Sequence, residues 1–159
     1  MQIPGIRVHL RKKYMSPDHV FQFCNTLALV AWLVLILLSP FYHGTDQLLI
    51  GVVVALLALV YVWLLTQSFS LADFEKFSTL EGLMTLFSNK TAVTAGWVHY
   101  LAFDLLTGVW MKNNATRHGI GHWLVVPCLI ITFMAGPLGL LLYLLLRWLV
   151  TRRYFNTNF

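Results

Sequence analysis

Two ionisable side chains, His99 and Asp104, lie inside an apolar run that is long enough to cross a bilayer. The run, TAVTAGWVHYLAFDLLTGVWMK, covers residues 91–112, and about 20 predominantly apolar residues suffice for a transmembrane helix. A charged side chain near the bilayer centre costs at least ~2.5 to 3.5 kcal/mol, so such residues usually face a bundle interior, a cavity or a ligand. His99 and Asp104 are therefore the first candidates for a functional site.

Helical geometry separates these two residues. They are five positions apart in the sequence, which corresponds to about 140° around a helix. Trp97 and Asp104 are seven apart and share one line along the helix, and Gly108 lies beside that line, where a neighbouring helix can approach closely. Cooperation between His99 and Asp104 would therefore need a partner on another helix, a water molecule or a substrate lying across the span.

Each of the two residues has a structural and a functional interpretation. A lone His in a span is either a satisfied interhelical hydrogen-bonding group, or a base or a ligand to a metal or pigment. Asp104 is either neutral and hydrogen-bonded or paired with a cation such as Arg117, and the cost of burying an acid favours a functional role. Other residues of the apolar segments and their ends are candidates for ligand binding or support: Asn25, Trp97, Trp110, Arg117, His122, Thr132 and Pro137.

The composition indicates an integral membrane protein. Hydrophobic residues make up 58% of the chain and charged residues 11%, with a mean hydropathy of +0.73, whereas soluble domains are about 45–50% apolar. The 159 residues have room for four spans and no separate soluble domain.

The net charge of +5 is assigned to topology and anionic lipid, and no nucleic-acid partner is predicted. Cys24 and Cys128 have no CxxC or Cys/His neighbours, so no metal site is predicted.

The patterns predict an all-α fold, a four-transmembrane-helix bundle in one membrane domain. Ser16-Pro17-Asp18 begins the first span and Ser39-Pro40 closes it. A polar stretch with evenly spaced apolar residues follows the second span; its capping box at residues 78–81 predicts a short amphipathic helix at the membrane surface. Gly136-Pro137 interrupts the hydrogen-bond ladder of the last span, because Pro lacks an N–H. The predicted spans are 17–39, 46–67, 92–111 and 122–150, and the predicted surface helix is 78–88.

Lys and Arg positions predict an orientation. With four spans, the termini and the loop between spans two and three share one side and carry nine basic residues, against two in the other loops. This asymmetry predicts that both termini lie on the cytoplasmic or stromal side of a bacterial inner, photosynthetic or plastid-type membrane. The first span is preceded by no recognisable transit peptide, which favours a bacterial or mature chain.

The sequence WVHYLAFDLLTGVW, followed by GIGHWLVVPCLIITFMAGPLGLLLYLLLR, resembles the abscisic-acid-deficient-four-like family of small four-span membrane proteins. FSTLEGLMTLF at 77–87 and the first span add to the resemblance, which covers about 17–147. One departure is Gly121, where the family pattern often has Pro before the His. Plant members of the family are linked to neoxanthin synthesis.

This resemblance implies a protein of carotenoid metabolism. The associated conversion turns a 5,6-epoxy end group into an allenic alcohol, and it needs a proton donor and a base, for which Asp104 and His99 are the candidates in this sequence. The competing hypothesis is a non-enzymatic subunit that binds a carotenoid or other lipid pigment, or packs against other subunits of a photosynthetic or respiratory membrane complex. A transporter is a weaker alternative, since the chain shows no internal repeat.

Overall fold

The computed structural model describes residues 16–42 and 44–152. Helices make up 87% of these residues, and none of the described residues forms a strand. The predicted all-α fold is therefore confirmed. The helices are α1 (Pro17–Leu38), α2 (Thr45–Ser68), α3 (Leu80–Leu86), α4 (Lys90–Arg117), α5 (His122–Met134) and α6 (Gly136–Thr151), with a 3₁₀ segment at Leu71–Ser78.

Helices α1 and α2 are long and apolar enough to cross a membrane, judged by length and composition. This agrees with the membrane protein that the sequence predicts. Helix α4 is longer, but Lys90, Asp104 and Lys112 lower its hydropathy. Helices α5 and α6 have 13 and 16 residues, about 20 and 24 Å at 1.5 Å per residue, against a hydrocarbon core of about 30 Å.

Helix α4 is the centre of the fold, because α1, α2, α5 and α6 all pack against it. Helix α1 runs parallel to α4: the Asn25 side chain meets Trp97 near the start of both helices, and Asp18 faces Lys90. Helix α2 runs antiparallel, since Asp46 at its beginning binds Lys112 near the end of α4. We call the end of the bundle at which α1 and α4 begin the first end, and the end at which α4 finishes the second end.

Helices α5 and α6 form a tight antiparallel hairpin. Ala135 leaves the helical conformation, with φ −152° and ψ 75°, and α6 then returns along α5 so that Gly139 packs directly on Thr132. A Cβ atom at Gly139 would overlap the Thr132 backbone and hydroxyl group. The predicted fourth span, 122–150, is thus divided into two helices, and the chain reverses at the predicted break.

Contacts with Asn114 fix the direction of α6. The Tyr143 hydroxyl donates to Asn114 Oδ1 at 2.6 Å, and Arg147 Nη1 donates to the same atom at 3.1 Å. Both donors lie in the second half of α6, while Asn114 lies near the second end. The last described residues therefore finish at the second end, opposite to the start of α1.

This hairpin removes the basis of the predicted orientation. Lys76 and Lys90 lie at the first end, but Arg147 and Arg152 follow α6 to the second end, which also carries Lys112 and Arg117. The asymmetry of basic residues depended on four full spans. The side of the membrane predicted for each terminus therefore stays a prediction, and the asymmetry of basic residues no longer supports it.

The segment between α2 and α4 contains two helical elements, the 3₁₀ segment Leu71–Ser78 and α3, where the sequence predicted one surface helix at 78–88. Thr79, one residue after the predicted cap, caps α3, and its hydroxyl accepts from the Gly82 N–H at 3.1 Å. Ser70 and Asp73 form a capping box at the start of the preceding 3₁₀ segment: the Asp73 carboxylate accepts from the Ser70 N–H and hydroxyl, and it also accepts from Lys76 Nζ. These bonds, with Lys76 the largest contributor, hold the pKa of Asp73 well below its ordinary value. Leu80 and Met84 on α3 are exposed, which suits a helix at a lipid surface.

Candidate functional site

Asp104 lies near the middle of α4, at the level of the hairpin tip. Its carboxyl group packs against the Cα of Gly136, the first residue of α6, so closely that a Cβ there would overlap both carboxylate oxygens. The N-terminus of a helix carries a partial positive charge and unpaired N–H groups, which suits a carboxyl group. The hairpin therefore brings a helix start to an acid at the centre of the bundle.

Tyr100 is the residue that accompanies Asp104. Its hydroxyl group lies beside the Asp104 carboxyl group and the Gly136 backbone, and the two residues are one helical turn apart on the same face of α4. Tyr100 is not among the residues predicted from the sequence, although its spacing of four from Asp104 puts both on one helix face. A carboxyl group and a phenol side by side can act as an acid and a base, and we call Tyr100 and Asp104 the acid/base pair.

The pair is open to the surroundings of the bundle. Tyr100 and Asp104 are each half-buried, and Met134 at the hairpin tip is exposed. The Oδ2 atom of Asp104 is itself enclosed and accepts no hydrogen bond from the described residues. An enclosed polar atom without a partner is costly, so a donor group that reached this oxygen would stabilise it.

Trp97 and Asn25 extend this site toward the first end. The Trp97 Nε1–H donates to Asn25 Oδ1 at 2.7 Å, and the Trp97 ring lies 5.7 Å from that of Phe21 and 5.4 Å from that of Tyr100. The hydrogen bond ties α1 to α4 one turn before Tyr100. Of the two residues predicted from the sequence as support, Trp97 therefore lies next to Tyr100, and Asn25 binds Trp97.

His99 lies on a different face of α4 from Asp104. Its ring is 5.4 Å from that of Tyr61 on α2 and 4.6 Å from that of Phe103, and the residue is exposed. This agrees with the angular separation predicted for the two residues. The two side chains therefore face different helices, because His99 lies against α2 and Asp104 lies against α6.

Arg117 and Trp110 lie toward the second end. Arg117 is 13 residues after Asp104 on one continuous helix, about 20 Å along the axis, so the ion pair considered between them does not form. The Trp110 ring packs edge-on against Tyr143 at 5.8 Å. Both residues line a cavity at the second end.

The remaining candidates from the sequence, His122, Thr132 and Pro137, lie in the α5–α6 hairpin. His122 Nε2 donates to the carbonyl oxygen of Ile36 at 2.9 Å and so ties the start of α5 to the end of α1. Thr132 is fully buried and donates to the Cys128 carbonyl at 2.8 Å. Pro137 occupies the first turn of α6, where its missing N–H leaves no gap in the helix.

A comparison with protein families matches residues 19–143 to the family described as ABA DEFICIENT 4-like. The match covers more than half of the chain. The chain belongs to the ABA DEFICIENT 4-like family. Comparisons with curated proteins and with solved structures gave no significant match.

The match of this ABA DEFICIENT 4-like protein includes the whole candidate site. It begins in α1 and ends at Tyr143 in α6, so it spans Tyr100, Asp104 and the hairpin tip at Gly136. The family suspected from the sequence is therefore confirmed. Within the part of the chain that the structure describes, no group of three or more His, Cys, Asp or Glu side chains is placed to hold a metal ion.

Proposed function

We propose that this protein isomerises the epoxy end group of a carotenoid within a membrane, with Asp104 and Tyr100 as the acid/base pair. The observation that carries the proposal is the Asp104 carboxyl group at the tip of the α5–α6 hairpin, with the Tyr100 hydroxyl beside it. The family supports carotenoid metabolism as the setting. In this proposal α1, α2 and α4 cross the membrane, while the hairpin enters from the second end and returns, an arrangement tolerated where it is covered by protein.

The position of the pair suits an apolar substrate that arrives from lipid. Tyr100 and Asp104 are half-buried, and the surrounding Trp97 and Met134 are exposed. An end group can therefore approach from the side of the bundle without passing through water. Trp97 and Phe21 offer aromatic surface for its ring.

The proposed reaction divides its two proton transfers between neighbouring groups. Tyr100 donates its hydroxyl proton to the epoxide oxygen as the C–O bond breaks, and Asp104 removes the proton from the adjacent polyene carbon, which leaves an allene and an alcohol. The proton then passes from Asp104 back to the Tyr100 oxygen, so the enzyme returns to its first state. The reaction is an isomerisation, and no oxidant or reductant is needed.

His99 has a different role in this proposal from the one that the sequence suggested. Because its ring faces Tyr61 and Phe103, it does not reach an end group held at Asp104. We assign the base to Asp104 and leave His99 outside the reaction.

The test is turnover of an epoxy-xanthophyll by the purified protein in lipid nanodiscs, with the allenic product separated by chromatography. Asp104→Asn and Tyr100→Phe remove the proposed base and acid, and general acid/base groups contribute about 10² to 10⁴ in rate. We expect a loss of at least 100-fold in each variant and near-normal turnover in His99→Ala. Undiminished turnover in Asp104→Asn, with the variant eluting as the unsubstituted protein does, would overturn the assignment.

The second candidate is a pigment-binding subunit without turnover. The observation that favours it is an apolar cavity of about 350 Å³ at the first end, lined by Tyr61, Leu65, Phe69, Phe74 and Phe77 among others, a size and lining that suit flat apolar ligands. Purification from the native membrane distinguishes the two. A carotenoid that co-elutes unchanged and is never converted supports the subunit, whereas product formation by the isolated chain supports the enzyme.

A further inference from the structure

Two cavities lie along α4 between the level of the Asp104 carboxyl group and the second end. One is apolar, with a volume of about 560 Å³, and is lined by Leu106, Thr107, Trp110, Leu140 and Leu144. The other, of about 220 Å³, shares Leu106 and Trp110 and adds Val109, Ile50 of α2 and polar residues of the second end. Because the two cavities share Leu106 and Trp110, we treat them as one groove with an apolar part against α6 and a polar part against α2.

The polar part presents hydrogen-bond donors. It is lined by Asn113, Asn114 and Arg117, and Asn114 is only 2% exposed. The Oδ1 atom of Asn114 is occupied by Tyr143 and Arg147, but its Nδ2 is buried and has no hydrogen-bond partner among the described residues. A buried amide donor without an acceptor is unfavourable, so a ligand oxygen at this position would satisfy it.

The apolar part of the groove lies at the depth of the lipid hydrocarbon, and the polar part lies at the depth of the headgroups. Arg117 lies about 20 Å along α4 from Asp104, and half of the hydrocarbon core is about 15 Å. With Asp104 near the centre, Arg117 reaches the headgroup region, whereas Leu106 and Thr107 stay in the hydrocarbon. A cationic and amide-lined end at headgroup depth fits an anionic headgroup, and the apolar part fits its chain.

We propose that this groove binds one anionic phospholipid, with a phosphate oxygen at Asn114 Nδ2 and Arg117 and an acyl chain along Leu106, Trp110, Leu140 and Leu144. The acyl chain fills the space between α4 and the returning helix α6, so it supports the hairpin that carries Gly136 to Asp104. This site lies nearer to the second end than the acid/base pair does, and it depends on the membrane arrangement proposed above but not on the carotenoid reaction.

Native mass spectrometry of the purified protein with added phosphatidylglycerol or phosphatidylcholine tests the proposal. We expect retained phosphatidylglycerol and at least tenfold weaker retention of phosphatidylcholine. Arg117→Gln and Asn114→Asp should each weaken phosphatidylglycerol binding about tenfold or more, because one charged or donor contact is lost. Asn114→Asp keeps an oxygen for Tyr143 and Arg147, so it separates lipid binding from folding.

Matched controls come from the same helices. Lys90→Gln is the control for Arg117→Gln, because it removes an exposed cation at the other end of α4. Leu144→Trp fills the groove, and Leu141→Trp is its control, because it enlarges an exposed residue of the same helix. Binding should be unchanged in the two controls and lost in Leu144→Trp. The proposal is overturned if Lys90→Gln weakens binding as much as Arg117→Gln does, or if both lipids bind equally. It is also overturned if inorganic phosphate alone displaces the lipid, because the site would then hold a free anion.

Discussion

The Asp104 carboxyl group rests on the Cα of Gly136, although the two residues are 32 positions apart and belong to different helices. This contact exists only because the chain reverses at Ala135 and places the start of α6 at the level of Asp104. It makes the size of residue 136 a determinant of both the hairpin and the site.

Gly136→Ala should destabilise the protein by about 1 to 3 kcal/mol, the usual cost of forcing an extra methyl group into a packed position. The added Cβ would overlap the Asp104 carboxyl group, so the hairpin tip or Asp104 must move, and turnover should fall with stability. Thermal unfolding in detergent measures the effect. Gly51→Ala is the control, since a Cβ there meets no atom within 4 Å; equal destabilisation by both changes would contradict the contact.

Asp46 and Lys112 should be coupled by about 1 to 3 kcal/mol in a double-mutant cycle with Asp46→Asn and Lys112→Met. Lys112 Nζ donates to both carboxylate oxygens at 3.0 Å, and the side chains are only 14% and 22% exposed. The pair between Asp18 and Lys90 is the comparison, because its atoms are 3.8 Å apart and both side chains are mostly exposed. Its coupling should stay below about 1 kcal/mol, and a larger value there than at Asp46 would contradict the argument.

Cysteine labelling should place Arg152 on the same side of the membrane as Thr116 and opposite to Glu75. In the fold, α6 returns to the second end, where α4 also finishes, while Glu75 lies in the segment at the first end. Single cysteines at these three positions can be tested in sealed vesicles with an impermeant maleimide. The unsubstituted chain gives the background, since Cys24 and Cys128 are buried. Labelling of position 152 together with position 75 would instead support four full spans.

Asp73→Asn should loosen the 3₁₀ segment at neutral pH, because Asp73 accepts from Lys76 and Ser70. The folded pKa of Asp73 is depressed, so its stabilising effect is fully present above the ordinary value of about 3.9 and is lost as the pH falls through the depressed value. Hydrogen exchange of the 70–76 amides, compared between the two proteins at each pH, should show a difference at pH 7. That difference should shrink only well below pH 4; a difference that vanishes near pH 6 would point to another group.

The local features of the sequence predicted much of this protein. Apolar runs of about 20 residues predicted the helices α1 and α2, and the Ser16-Pro17-Asp18 start agrees with the observed cap at Ser16. The mixed residues of the 97–110 and 119–139 segments were specific enough to identify the family. The 3.6-residue period of a helix also separated His99 from Asp104, because that angle depends only on positions within one helix.

Tertiary structure decided the rest. Ala135, Gly136 and Pro137 indicate a break, but a break is compatible with a kinked span or with a reversal. The reversal is stabilised by contacts between distant residues, namely Gly139 on Thr132 and Tyr143 and Arg147 on Asn114. The same reversal brings Gly136 to Asp104 and makes Tyr100, rather than His99, the partner of the acid. Sequence periodicity describes one helix at a time, whereas the site is built where a second helix meets the first.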